Sequence, residues 1–137
     1  MAAAPAQILE SALYADDLDA AERFYGEVLG LEKITRSSNR HVFFRCGPGV
    51  LLIFNPAETV VPYSKGQLPV PPHGARGQGH LCFRAEAHEL DGWRGRLTAA
   101  GVTIESDMEW PGGGRSIYFR DPAGNSLEFA EARIWGL

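Results

Sequence analysis

The chain has 137 residues, 45% hydrophobic and 22% charged, enough for one globular domain with its own core and too few for two full-sized ones. Its longest uninterrupted apolar stretch, residues 50–54, is far short of the roughly 18–20 residues of a membrane-spanning helix, and the opening MAAAPAQILE lacks the basic and long apolar regions of a secretion signal. A formal net charge of −4 without a basic cluster offers no electrostatic footprint to nucleic acid or an anionic membrane, so the expected partners are small molecules or proteins.

The first expected element is a strand over residues 8–14. Asp17 then reads as a helix N-cap, with Leu18, Ala21, Tyr25, Val28 and Leu29 at helical spacing and Gly30 as the stop. A short strand over 31–35 and a hairpin over 41–54, turning at CGPG (46–49), complete the first half. Residues 56–79 are rich in Pro and Gly without periodicity and read as a linker or a binding loop. The order then restarts with a strand over 80–85 and a helix over 89–100, in which Gly92 and Gly95 each cost about 1 kcal/mol relative to Ala. A glycine stop at Gly101, a strand over 102–105 and a hairpin turning at DPAG (121–124) follow. Cys46 and Cys82 lie in separate apolar runs without CxxC spacing, which fits reduced, buried thiols and a cytoplasmic location better than a disulfide framework.

The restart is a repeat. Residues 41–54 laid over 116–129 without a gap match Phe44 with Phe119, Arg45 with Arg120, Gly49 with Gly124, Leu52 with Leu127 and Phe54 with Phe129. The expected class is therefore α+β: two tandem βαβββ modules, about 8–56 and 80–132 with a loop at 57–79, in one domain spanning 1–137. Each module is below the size that comfortably folds alone, so the two must pair, within one chain or with a second copy. A helix covers one face of each four-stranded sheet, and the opposite faces form a cupped mixed sheet around a cleft.

Strand alternation selects the side chains of that cleft. His80, Cys82 and Arg84 point one way and Leu81, Phe83 and Ala85 the other; Ser126, Glu128 and Ala130 oppose Leu127 and Phe129. Glu10 can share the cleft, and the repeat equates it with His80, and Ile53 with Glu128. Two carboxylates and an imidazole suit Zn, Mn, Fe, Co or Ni as a divalent ion, with coordination positions left for a substrate's oxygens. The competing structural roles are a core histidine for His80, an ion pair with Arg84 for Glu128, and a pair with Arg115 or Arg84 for Glu10. Arg115, after the glycines of 112–114, could clamp a ligand's carboxylate or phosphate, or form a surface ion pair. Trp110, Tyr118 and Phe54 are ring residues near the cleft strands, with Trp110 beside the glycine run a candidate lid; aromatics at such spacing also serve the core. No Ser-His-Asp set or phosphate loop is visible, and the glycines of 112–114 precede a strand, not a helix.

The strings LYADDLDAAERFYGEVLGLE, GHLCFRA and YFRDPAGNSLEFAE resemble the vicinal oxygen chelate superfamily, the glyoxalase, bleomycin-resistance and dioxygenase group, over nearly the whole chain except the middle loop. The resemblance implies paired βαβββ modules, usually in a homodimer, and a metal held by first-strand and last-strand residues, here Glu10, His80 and Glu128. Ile53 stands where glyoxalase I places a further Glu, so the four-ligand glyoxalase set is incomplete. A two-His, one-carboxylate dioxygenase centre is not matched either, because of the three positions only His80 is a histidine. The expectation is a divalent-metal-dependent isomerase, lyase or epimerase acting on a small oxygen-rich substrate, with Glu10 or Glu128 leaving the metal to act as general base. The alternative is a metal-free, antibiotic-binding sequestration protein.

Overall fold

In both halves alternate residues, Val42 and Phe44 in the first and Ile117 and Phe119 in the second, are fully buried, which commits one face of each sheet to a core. The computed structural model describes residues 2–137 and divides the chain into two compact units, the first ending at Arg76 and the second running from Gly77 to Leu137. No helix among the described residues is long and apolar enough to cross a membrane.

In the first unit β1 (Glu10–Tyr14), β2 (Glu32–Ser37), β3 (His41–Cys46) and β4 (Gly49–Phe54) form a sheet of order β1-β4-β3-β2, with β1 parallel to β4 and the other pairs antiparallel. Leu13, Val42, Phe44, Leu51 and Ile53 are its buried face. The covering helix starts as the sequence predicts: Asp17 accepts from the Ala20 amide at 3.0 Å, and α1 spans Leu18–Arg23. It does not continue as one α-helix. Phe24–Val28 forms a π-turn, in which the Leu29 amide reaches back to the Phe24 carbonyl. Phe24 and Tyr25 are adjacent in sequence yet both buried, edge to face at 5.2 Å, and the wider turn admits both rings to the core.

The middle segment is no free linker. Asn55 caps a short helix, α2 (Pro56–Thr59), by accepting from the Ala57 amide, and the His73 amide donates to the Thr59 carbonyl at 2.9 Å. Gly74 permits this return, since a Cβ there would stand 2.6 Å from Val60 Cγ1.

In the second unit β5 (His80–Arg84), β6 (Ser106–Glu109), β7 (Arg115–Arg120) and β8 (Ser126–Ala130) repeat the pattern as β5-β8-β7-β6, with β5 parallel to β8. The helix α3 (Leu90–Ala99) sends Leu90 and Leu97 into the core and lays Trp93 on Phe129 at 4.3 Å. The strand expected at 102–105 lies instead at 106–109. Val102 still bonds back to Leu97, and the ladder begins only where the Glu105 amide meets the Tyr118 carbonyl. The partner strand chose the segment against its own β-propensity.

The repeat also goes out of step by one residue. Between the equivalent pairs Arg45–Val50 and Arg120–Ser126 lie four residues in the first hairpin and five in the second, where Asp121 Oδ1 accepts from the Ala123 and Asn125 amides. Phe44 faces Leu51, and Phe119 faces Leu127. Leu52 is therefore the counterpart of Glu128, and the assignment of Ile53 to that position is corrected. Ile53 is 0% exposed, on the core face.

Candidate functional site

The open face of the second unit carries His80 and Cys82 from β5, Ser116 and Tyr118 from β7, and Glu128 from β8. Cys82, Glu128 and Tyr118 are in register across three strands. Glu128 is 5% exposed, too deep for an unpartnered carboxylate, and it is held by Ser116 Oγ, which donates to Oε2 at 2.5 Å. Trp110 Nε1 in turn donates to Ser116 Oγ at 2.8 Å, which fixes the hydroxyl's direction. The other oxygen, Oε1, lies 3.4 Å from His80 Nε2.

His80 is not the core histidine of the structural alternative, since about half its side chain is exposed. Its Nδ1 lies 3.0 Å from the Ser126 carbonyl, an acceptor only, so Nδ1 donates there and Nε2 is the ring atom that faces Glu128. Tyr118 lies along the ring at 6.4 Å. Burial and the Glu128 carboxylate push the Tyr118 phenol up, and the same two causes push the Cys82 thiol up to about 12. Both groups stay protonated at neutral pH. Cys46 and Cys82 are free thiols; Cys46 is half-buried, whereas Cys82 is more open than its apolar run predicts.

A divalent ion fits this pair. Two ligands at about 2.0–2.1 Å from a tetrahedral ion stand about 3.4 Å apart, which is the His80–Glu128 separation. Among the described residues no three His, Cys, Asp or Glu side chains gather as a metal cluster. Glu10 belongs to the first unit, where its pairing with Val50 matches that of His80 with Ser126. It is exposed and lines a cavity of about 610 Å³ in that unit, together with Phe43, Leu52, Phe54 and the middle segment.

The ring and arginine candidates separate. Trp110 and Tyr118 stand on the second unit's open face, and Phe54 lines the first unit's cavity. Arg115 alternates with Ser116 and Tyr118 and so points to the other face, where Nε and Nη2 donate to Asp107 at 2.8 Å each and Nη1 to Asp91 at 2.7 Å. The clamp expected of it is corrected: the protein's own carboxylates already take its fork. Glu128 is not paired with Arg84 either, whose partner is Glu86 at 3.7 Å. Ser116 is legible in the sequence only through its alternation with Tyr118, which marks it for the open face. Thr59 and His73 lie in a stretch without periodicity and carry no local signal.

The sequence profile of the Glyoxalase/Bleomycin resistance protein/Dioxygenase superfamily matches residues 7–129. The chain belongs to this superfamily. A lactoylglutathione lyase from Agrobacterium tumefaciens has a similar structure, with a TM-score of 0.92, 48% identity, and coverage of 97% of this chain and 98% of that one. A virulence protein from Salmonella typhimurium superposes with a TM-score of 0.70 at 25% identity, over 94% of this chain and 98% of that one. A glyoxalase/bleomycin resistance protein/dioxygenase from Nocardioides shares the fold at a TM-score of 0.72 and 22% identity, over 95% and 85% of the two chains.

Proposed function

We propose that this superfamily member is a divalent-metal-dependent enzyme of the lyase, isomerase or epimerase type, acting on a small oxygen-rich substrate. The observation that carries the reading is the His80–Glu128 pair, with Nε2 and Oε1 3.4 Å apart, Nδ1 turned to the Ser126 carbonyl and Oε2 held by Ser116. His80 and Glu128 would hold the ion with Glu10 as the third ligand, and the protein would act as a cytoplasmic homodimer. Zn, Mn, Fe, Co and Ni all suit these ligands. When bound, the ion supplies Lewis-acid polarisation of the substrate's neighbouring oxygens.

The chain's own residues do the rest. Ser116 and Trp110 keep Glu128 in one orientation, so that Oε1 stays at His80. A carboxylate of Glu10 or Glu128 not engaged by an ion would take the proton from the substrate's C–H or O–H and return it. Trp110 and Tyr118, beside His80 and Glu128, would supply ring contacts to the substrate, and Phe54 would do so from the first unit's cavity. The name of the Agrobacterium protein favours the lyase member of the three classes. Leu52 at the counterpart of Glu128 keeps the proposed centre at three ligands and argues against the four-ligand glyoxalase I set.

Elemental analysis of untagged protein tests the reading. Stoichiometric divalent metal in the parent, lost in both His80→Ala and Glu128→Ala, is expected; absence of metal under every divalent supplement would overturn it. Light scattering should give twice the chain mass of 14.9 kDa; a single-chain mass at micromolar concentration would refute the dimer. The second reading, metal-free sequestration of an antibiotic-like ligand, is favoured by the aromatic cavity of the first unit. On that reading, ligand binding survives chelator and no turnover accompanies it.

A further inference from the structure

The 610 Å³ cavity of the first unit lies within the roughly 300–1,000 Å³ range of small-molecule sites. Its two ends differ chemically. Tyr14 pairs with Phe54 and Phe54 with His41, so these residues share one end of the sheet with Arg40, whose carbonyl accepts from the Asn55 amide. His73 joins them, its Nδ1 2.7 Å from the Tyr14 hydroxyl and its amide on the Thr59 carbonyl. Glu10 lies four residues back along β1, about 13 Å away at the usual strand rise. Phe43 and Leu52 make an apolar floor between the ends.

At the basic end the polar groups are underused. The Arg40 guanidinium stands 5.7 Å from the Phe54 ring centre with Nη1 2.8 Å from His41 Nδ1. No carboxylate among the described residues pairs with it, whereas Arg36 and Arg45 on the neighbouring strands are held by Asp19 and Glu32. Burial and the Arg40 charge both push His41 down, so its Nδ1 accepts from Arg40 and its Nε2 keeps a proton to donate. Thr59 is 2% exposed, belongs to the cavity lining, and its Oγ1 has no hydrogen-bond partner. His41 stacks on Phe43 at 4.1 Å and 11°, with Phe54 edge-on to both. The stack and the upright Phe54 ring make an aromatic corner against which a ligand ring can pack.

We propose that the first unit binds an aromatic monocarboxylate, its ring against His41, Phe43 and Phe54 and its carboxylate on Arg40, with the His41 Nε2–H and the Thr59 hydroxyl as further donors. One guanidinium with neutral donors suits a single negative charge, and Glu58 and Glu10 in the same lining oppose a second. The inference deepens the sequestration reading by naming the ligand class of that cavity, and it stands on the first unit alone.

The test is isothermal titration of the full chain, in EDTA, with 2-naphthoate and its neutral counterpart 2-naphthamide. The acid binds at least about tenfold more tightly than the amide, as expected for a charge-assisted hydrogen bond. Arg40→Gln abolishes that preference and leaves the amide affinity within about twofold, and Arg40→Lys retains part of it. Thr59→Val weakens the acid a few-fold. Circular dichroism and thermal unfolding select folded variants. EDTA removes divalent ions throughout the titrations, which separates failure of this inference from failure of the metal reading. Equal affinity for acid and amide, a preference that survives Arg40→Gln, or no heat at millimolar 2-naphthoate would each overturn it.

Discussion

Asp107→Asn removes the carboxylate that joins β6 to β7 and to α3, and its effect follows from the geometry. Asp107 receives Arg115 through two hydrogen bonds of 2.8 Å and Arg94 through a third, while its side chain is only 19% exposed. The Arg115 guanidinium foremost, against some opposing burial and with Arg94 adding to it, holds the Asp107 carboxyl down from 3.8 to about 2. At about 1.4 kcal/mol per unit this shift corresponds to roughly 2.5 kcal/mol; partial screening by solvent brings the expected loss to about 1–2 kcal/mol. A folded-state value below the unfolded one means that the contribution is complete above about pH 4 and is lost as pH falls toward 2. Urea unfolding of parent and variant across pH 7 to 2.5 measures both features. The variant should be less stable by about 1–2 kcal/mol at pH 7, with most of the gap gone at pH 2.5. Equal stability at pH 7, or a gap that persists undiminished in acid, would refute the assignment of Asp107 as the anion that organises this corner.

The remaining predictions concern the site and the register. Ser116→Ala deprives the buried Glu128 carboxylate of its hydrogen bond and, on the metal reading, should lower divalent-ion affinity about 10–100-fold in chelator competition while the fold survives; unchanged affinity would remove Ser116 from the site. Leu52→Glu and Ile53→Glu separate the two alignments of the last strand. Leu52 borders a cavity, so a carboxylate there should cost about 1–3 kcal/mol in denaturant unfolding and leave a folded chain; Ile53 is fully buried, and the same change should abolish cooperative unfolding. The opposite order of tolerance would restore the gapless alignment.

The register illustrates which features were legible in the sequence. Matches such as Phe44 with Phe119 revealed the repeat because both lie in strands with the same alternation, but the extra residue in the second hairpin falls after that pair and makes Leu51 and Ile53, not Leu52 and Phe54, the counterparts of Leu127 and Phe129. Only the ladder counts it. The second helix was legible from Leu90, Trp93 and Leu97, whereas the strand after it was misplaced because Val102, Thr103 and Ile104 have strand-like side chains and no strand partner. Arg115 shows the same limit for the site. Its place beside a glycine run suggested a ligand clamp, yet its partners Asp91 and Asp107 lie on other elements, and a guanidinium satisfies the nearest carboxylates available.

By itself, then, the sequence determined two strand–helix–strand–strand–strand modules and the common face of Ser126, Glu128 and Ala130 beside that of His80 and Cys82. Those follow from side-chain periods of 2 and 3.6 residues, which act over a few neighbours. Tertiary structure alone decided that Leu52 is the counterpart of Glu128, that His80 Nε2 stands 3.4 Å from Glu128 Oε1, and that residues 56–73 fold back to line a cavity. Each of these depends on hydrogen bonds or packing between residues far apart in the chain, and no local period encodes which distant partner a strand or side chain will meet.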